Sequence, residues 1–117
     1  MALKPRLEKS IETEILNVLK LKGLFFFKIN KTGIYDAKRK VFRSNKNPHA
    51  INGIADIIGC VQGRFVAIEV KSKSGRMTPD QLRFQTRIND EGGLSICVNN
   101  LSDCLEILSE ELDLDLV

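Results

Sequence analysis

Two apolar runs in the middle of the chain limit the folds that it can adopt. The first run, GIADIIGCV, covers residues 53–61, and the second, RFVAIEVK, covers residues 64–71. Only Gln62 and Gly63 separate them. Runs rich in β-branched residues joined by a two-residue, glycine-containing connection are typical of an antiparallel β-hairpin. The sequence therefore predicts a β-hairpin at the centre of the domain.

This hairpin brings two carboxylates together. A two-residue turn pairs Val61 with Arg64, and the same register sets Asp56 opposite Glu69. Opposed residues share a face with Cβ atoms about 5 Å apart, so two like charges destabilise the sheet unless something compensates. Side chains alternate along a strand, so Lys71 shares that face. Such carboxylates suit Mg²⁺, and the pattern predicts a metal site for phosphate chemistry. The alternative is an edge hairpin with Asp56 exposed and Glu69 bridged to Lys71.

Helical patterns flank the hairpin on both sides. Apolar residues at helical spacing predict a first helix that ends at Gly23. Thr78 as N-cap and Pro79 at the first helical position mark the start of a second helix, which ends at a glycine pair. The segment 101–112 has leucines on one side and predicts a third helix.

Further strand patterns complete an α/β domain. Residues 24–30 and 94–100 are short apolar runs suited to strands. We expect residues 31–53 to form a long exposed loop, with a short strand near Val41 and Phe42. The order α-β-β-β-α-β-α predicts one domain over the 117 residues, with a mixed sheet around the central antiparallel hairpin and a last strand that returns through a helical crossover.

The distribution of charge favours a polyanionic partner. Between Lys20 and Lys46 the chain has nine basic residues and one acid, Asp36, whereas residues 103–117 carry six acids and no base. Such a basic cluster is typical of nucleic-acid binding, and the alternative is a solvated surface without a partner.

The composition indicates the cellular compartment of the protein. No apolar run reaches the roughly 18 to 20 residues that a membrane helix needs, and the N-terminal segment lacks the apolar core of a secretory signal. We expect a cytosolic protein without membrane association. Cys60, Cys97 and Cys104 lie in or beside apolar runs without CxxC spacing, which predicts buried, reduced thiols.

The segments GIADIIG and FVAIEVKSKSGRMTPDQLRF together resemble the PD-(D/E)XK nuclease superfamily, and within it the VRR-NUC branch, the virus-type replication-repair nuclease domain. The resemblance covers nearly the whole chain and rests on G-x-x-D, E-V-K and T-P-x-Q in this order. It implies a restriction-endonuclease-like core in which Asp56, Glu69 and the backbone carbonyl of Val70 bind Mg²⁺ or Mn²⁺. Lys71 matches the motif lysine that orients or activates the attacking water. Ala55 departs from the superfamily, which usually has proline before the first aspartate.

The same resemblance assigns two further polar residues to the site. Glu8 in the first helix matches a glutamate that faces the metal, often through water, and Glu12 lies one turn further on the same side as an alternative. Gln81 matches a polar residue near the site at the start of the helix that follows the E-x-K strand. Without the resemblance, all three would be read as surface residues of helices.

The resemblance and the charge pattern together predict a Mg²⁺- or Mn²⁺-dependent DNA endonuclease. We expect a homodimer that cuts branched DNA such as Holliday junctions, in a bacterial or phage-infected cell. The alternatives are a non-catalytic nucleic-acid-binding module of the same fold, or a nuclease that acts on flaps, nicked duplex or RNA. Few exposed aromatic residues are expected, so base stacking is secondary. Contacts to the nucleic-acid backbone are predicted for Lys28, Lys31, Lys38, Arg39, Lys40, Arg43, Lys46, Lys73 and Arg76.

Overall fold

The computed structural model describes the backbone of residues 3–30, 34–36, 41–43 and 48–117, and the side chains of residues 7–30 and 48–117. The elements follow the order α1 (Leu3–Leu21), β1 (Phe25–Lys28), β2 (Ile34–Asp36), β3 (Val41–Arg43), β4 (Ile57–Val61), β5 (Arg64–Val70), α2 (Pro79–Asp90), β6 (Leu94–Val98) and α3 (Leu101–Glu111). The predicted α/β class with a mixed sheet is confirmed. None of the helices in the described ranges combines the length and apolar composition needed to cross a bilayer.

The end of α1 follows from a glycine signal. Gly23 has a φ of +77°, a conformation that glycine adopts without steric strain. The amide of Gly23 donates to the carbonyl of Lys20, and the amide of Leu24 donates to that of Leu19, which is the Schellman arrangement. This turn directs the chain into β1, as the sequence predicts.

Four strands form the main sheet in the order β1-β4-β5-β6. β1 pairs antiparallel with β4, β4 pairs antiparallel with β5, and β5 pairs parallel with β6 through the α2 connection. The predicted central hairpin and the return of the last strand through a helix are therefore confirmed. Both Gln62 and Gly63 have positive φ, 50° and 83°, as the tightest hairpin turns require.

Alternation along β5 divides the core between the two faces of the sheet. Val66, Ile68 and Val70 pack with α1 and α3 in the larger core, where Ile15 and Leu108 are fully buried. Helix α2 covers the other face over β5 and β6, with Phe84 against Ala67 and Ile58 in a smaller core. On the same face α2 leaves Phe25, Phe27, Cys60 and Phe65 exposed to solvent.

Three sequence predictions need correction. The short strand predicted near Val41 and Phe42 is confirmed as β3, but residues 31–53 are not otherwise a loop, because β2 pairs antiparallel with β3 and sets Tyr35 opposite Phe42. Neither strand is in the predicted order α-β-β-β-α-β-α. The β-branched and aromatic residues of both segments favour this pairing. Of the three free cysteines only Cys104 is buried. The expectation of few exposed aromatics is also wrong, because Phe25, Phe27 and Phe65 are exposed on the face of the sheet that carries α2.

Candidate metal-dependent active site

Asp56 lies directly before β4, where two neighbouring strands fix it. Its backbone carbonyl accepts a hydrogen bond from the amide of Ile29 at 2.8 Å, and its Oδ2 accepts from the amide of Val70 at 2.9 Å. The predicted register of the hairpin is confirmed as far as Ile57 opposite Ile68. Asp56 immediately precedes Ile57, the last residue of this ladder. Its carboxylate is hydrogen-bonded to the end of β5.

Glu69 is the most deeply buried carboxylate of the site, with 3% of its surface exposed. Its Oε2 accepts from Nε2 of Gln81 at 3.2 Å and lies 3.6 Å from Nζ of Lys71. The side chain of Lys71 is itself 17% exposed. Burying a carboxylate is unfavourable unless hydrogen bonds and an opposite charge compensate. The sequence-predicted residues Glu69, Lys71 and Gln81 are thus brought into contact.

The start of α2 orients Gln81 toward Glu69. Thr78 caps the helix through its side chain, which accepts from the amide of Gln81 at 3.1 Å, and Oε1 of Gln81 accepts from the amide of Thr78 at 2.9 Å. This capping box holds the amide oxygen at the helix end and turns the NH₂ group toward Glu69. Gly53 allows the loop before β4 to approach closely, since a Cβ there would lie 2.3 Å from the carbonyl carbon of Asp80.

The two candidate glutamates of α1 have different partners. Oε2 of Glu8 accepts from the amide of Ser72 at 3.0 Å, just beyond the end of β5. Glu12 is buried, so its interpretation as a surface residue of the helix is wrong, and its Oε1 lies 2.9 Å from Nζ of Lys28. Glu8 therefore lies near the end of β5 that carries Glu69, whereas Glu12 neutralises a lysine of β1. This geometry favours Glu8 over Glu12 as the helix acid of the site.

Cys97 is a neighbour of the site that the sequence analysis did not identify. The parallel register pairs it with Glu69. Partial burial raises the pKa of the Cys97 thiol above its ordinary value; the charges of Glu69, Asp56 and Glu8 raise it further, and Lys71 opposes them. The thiol thus lies in the field of three carboxylates and one ammonium group. To predict this neighbour from the sequence, one would need to know that β5 and β6 pair in parallel and in which register.

The donor groups fit a hard divalent cation. Asp56 and Glu69 would supply carboxylate oxygens, with the carbonyl of Val70 as a further oxygen ligand. Mg²⁺ takes such ligands and keeps several waters, so one or two carboxylates suffice. In the described part of the chain no three His, Cys, Asp or Glu side chains cluster closely enough to hold a metal between them. A zinc-type cage would need three or four such ligands, whereas two carboxylates with water in the remaining positions would be enough for Mg²⁺ or Mn²⁺.

The predicted nucleic-acid contacts are only partly described. Lys28 is bonded to Glu12 and is half exposed, while Lys73 and Arg76 are exposed in the segment between β5 and α2. The backbone of Arg43 belongs to β3, but its side chain lies outside the described residues. The remaining predicted contacts lie wholly outside them: Lys31, Lys38, Lys40, Lys46 and Arg39.

Comparison of the chain with protein-family models, with curated proteins and with solved structures finds no match. The function must therefore be argued from the geometry and the chemistry of the site.

Proposed function

We propose that the protein is a divalent-metal-dependent nuclease that hydrolyses phosphodiester bonds of DNA. One observation carries the proposal: Glu69, 3% exposed, shares one corner of the sheet with Asp56, Lys71 and Gln81. A domain that only needed a stable sheet would gain by apolar residues at these positions, because a buried charge is unfavourable even when paired. A site that binds a cation and a phosphate uses these same groups.

Each residue has a chemical role in this proposal. Asp56, Glu69 and the carbonyl of Val70 would hold the ion, which when bound polarises the phosphoryl group and lowers the pKa of an attacking water. Lys71 carries its ammonium 3.6 Å from Glu69 and would stabilise negative charge that develops on the phosphate. Gln81 restrains the Glu69 carboxylate through its hydrogen bond. Glu8, held by Ser72, would bind a water of the ion from the helix side.

The fold is compatible with the restriction-endonuclease-like core that the sequence resemblance implies. A mixed sheet with α1 and α3 on one face and α2 on the other carries the acidic residues at the end of its central hairpin. We assign the chain to this architecture, and to the VRR-NUC type of PD-(D/E)XK nuclease, as part of the proposal.

The substrate and the assembly extend the same proposal. The basic cluster between Lys20 and Lys46 would bind the phosphate backbone by charge, which supplies affinity without sequence specificity. One small site per chain cuts one strand, so a homodimer with two-fold symmetry would be suited to branched DNA such as a four-way junction.

A cleavage assay on purified protein tests the proposal. Four-way junction, flap, nicked duplex, duplex, single-stranded DNA and RNA are each incubated with Mg²⁺, Mn²⁺ or EDTA. We expect products with Mg²⁺ or Mn²⁺ and none with EDTA, and the strongest cleavage on the junction. Glu69→Ala should abolish cleavage and retain most of the binding, because the phosphate contacts come from Lys and Arg.

A surface variant provides the matched control. Glu14 is an exposed acid of α1, and Glu14→Ala should cleave like the wild type. Cleavage that persists in EDTA or in Glu69→Ala would refute the mechanism. If every substrate stays intact with either metal while binding remains, the protein is a nucleic-acid-binding module of this fold and not a nuclease.

A further inference from the structure

Three phenylalanines form an exposed aromatic surface next to the candidate site. Phe25 is 67% exposed, Phe27 43% and Phe65 41%. Large apolar side chains normally lie inside a domain, and a contiguous exposed patch of them commonly marks a binding surface. We call these three residues, with the exposed Cys60 between them, the aromatic face.

Strand register places these residues on one face of the sheet. Phe25 pairs with Cys60, which pairs with Phe65, and Phe27 pairs with Ile58. Side chains of paired residues point to the same side, here the side on which α2 packs over Ala67 and Ile58 and leaves the three phenylalanines exposed. The rings of Phe25 and Phe27 lie 5.6 Å apart between centroids and are tilted by 44°. Both rings therefore offer part of a π surface to solvent.

The aromatic face adjoins the carboxylates. Phe27 pairs with Ile58, which is two residues from Asp56, or about 7 Å along the chain, so Phe27 lies one strand away from this carboxylate. Phe65 is four residues from Glu69, or about 13 Å. An extended ligand that lay along the aromatic face would thus place its adjacent segment in the candidate metal site.

The size of the face favours a small flat ligand over a protein partner. A phenylalanine offers about 200 Å² for contact, so the three exposed fractions sum to about 300 Å². A stable protein interface buries about 800 Å² on each partner, and even a weak one needs roughly 500 Å². Two or three nucleobases, each stacked on one ring, match the observed area.

The charge of the neighbouring sequence indicates what carries those bases. The aromatic face itself holds no charged residue, yet β1 leads directly into a segment, residues 31–46, with six Lys or Arg and one acid. A polyanion with flat apolar groups satisfies both features, since its phosphates bind the basic segment and its bases bind the rings.

We propose that Phe25, Phe27 and Phe65 form a stacking surface for unpaired nucleobases of a single strand that leads into the candidate active site. The inference rests on the proposed function in taking the ligand to be a nucleic acid. The proposal implies that the preferred DNA has unpaired bases beside the cleavage point, as at the branch of a flap or an opened junction. Stacking does not depend on the sequence, because every base has a π face.

Binding measured in EDTA tests the surface separately from cleavage. Fluorescence anisotropy compares a labelled 12-nucleotide single strand of DNA, the RNA strand of the same sequence and a blunt DNA duplex. Phe25→Ala and Phe27→Ala should each bind the single strand roughly 5- to 150-fold more weakly, as expected for the loss of one stacked base. Binding of the duplex should change by less than about twofold, since its bases are already stacked. Leu21→Ala, at an 87% exposed apolar residue of α1, should bind both as the wild type does.

A spectroscopic variant gives a second readout. The chain contains no tryptophan, so Phe25→Trp introduces a single indole reporter while it preserves an aromatic ring. Its fluorescence should be quenched by the single strand and not by the duplex, and its affinity should equal or exceed that of the wild type. Unchanged urea unfolding of the alanine variants would show that any loss of binding is local.

Several outcomes separate the possibilities. Equal binding of the single strand by the wild type and both alanine variants would overturn the proposal. A lower molecular mass of the alanine variants than of the wild type in sedimentation, with binding of the single strand unchanged, would also overturn the proposal. The aromatic face would then bind a second copy of the chain. Tighter binding of the RNA strand, lost in the same variants, would support the surface and assign the strand to RNA. Ring-dependent binding without any metal-dependent cleavage would retain the surface and refute only the nuclease.

Discussion

Replacement of Gly53 by alanine should displace the first turn of α2 from the carboxylate site. Gly53 has a φ of +79°, and a Cβ there would lie 2.3 Å from the carbonyl carbon of Asp80 and 2.5 Å from the amide nitrogen of Gln81. The left-handed conformation costs an L-residue about 1 to 2 kcal/mol. The overlap with backbone atoms, which cannot rotate away, adds about 1 to 3 kcal/mol. Gly53→Ala should therefore lower the free energy of unfolding by about 2 to 5 kcal/mol.

Gly63 provides the matched control. Its φ is +83°, and a Cβ at this position would meet nothing within 4 Å, so Gly63→Ala should lose only the conformational part, about 1 to 2 kcal/mol. Urea unfolding followed by circular dichroism measures both variants. Because Gln81 restrains Glu69, Gly53→Ala should also reduce metal-dependent cleavage, whereas Gly63→Ala should not. Equal destabilisation by the two substitutions would refute the close contact between this loop and α2.

Other consequences concern the core and the thiols. Leu108→Ala, at a fully buried position, should lower the free energy of unfolding in urea by about 2 to 5 kcal/mol. Leu82→Ala, at a half-exposed position, should lower it by less than about 1 kcal/mol. Similar losses of unfolding free energy in the two variants would contradict the described core. Burial raises the pKa of Cys104 from 9.0 to about 12, so between these pH values the unfolded chain releases a proton that the folded chain keeps. Stability should fall there by about 1.4 kcal/mol per pH unit more in the wild type than in Cys104→Ala, and parallel curves would exclude a buried thiol. At pH 8, iodoacetamide should modify Cys97 faster in Glu69→Gln than in the wild type, because loss of the negative charge lowers the pKa of the Cys97 thiol. Equal rates of modification, measured by mass spectrometry, would contradict the proximity of Cys97 and Glu69.

Local signals explain why the hairpin could be predicted. Gln62 and Gly63 leave room for only a tight turn, which fixes the register of every following pair along β4 and β5. The cap at Thr78 and the stop at Gly23 are likewise set by the conformational preferences of single residues. The approach of Gln81 to Glu69 required the resemblance as well as the cap.

Other features depend on contacts between distant segments. Glu8 and Glu12 are one helical turn apart on the same side of α1, so the choice between them required the position of that helix on the sheet. The neighbourhood of Cys97 and Glu69 follows from a parallel pairing that no local pattern specifies. The exposure of Phe25 depends on how far α2 extends across the sheet, and alternation along β1 does not reveal it.

Binding of Mn²⁺ decides whether Asp56 and Glu69 hold a divalent ion. Electron paramagnetic resonance follows the signal of free Mn²⁺ as the ion is titrated into the wild type, Asp56→Asn, Glu69→Gln and the exposed control Glu14→Gln. We predict saturable binding by the wild type and by Glu14→Gln, and affinities at least about tenfold weaker in the two site variants. Equal Mn²⁺ binding by all four proteins, or none by the wild type, would contradict the metal site and the nuclease mechanism built on it.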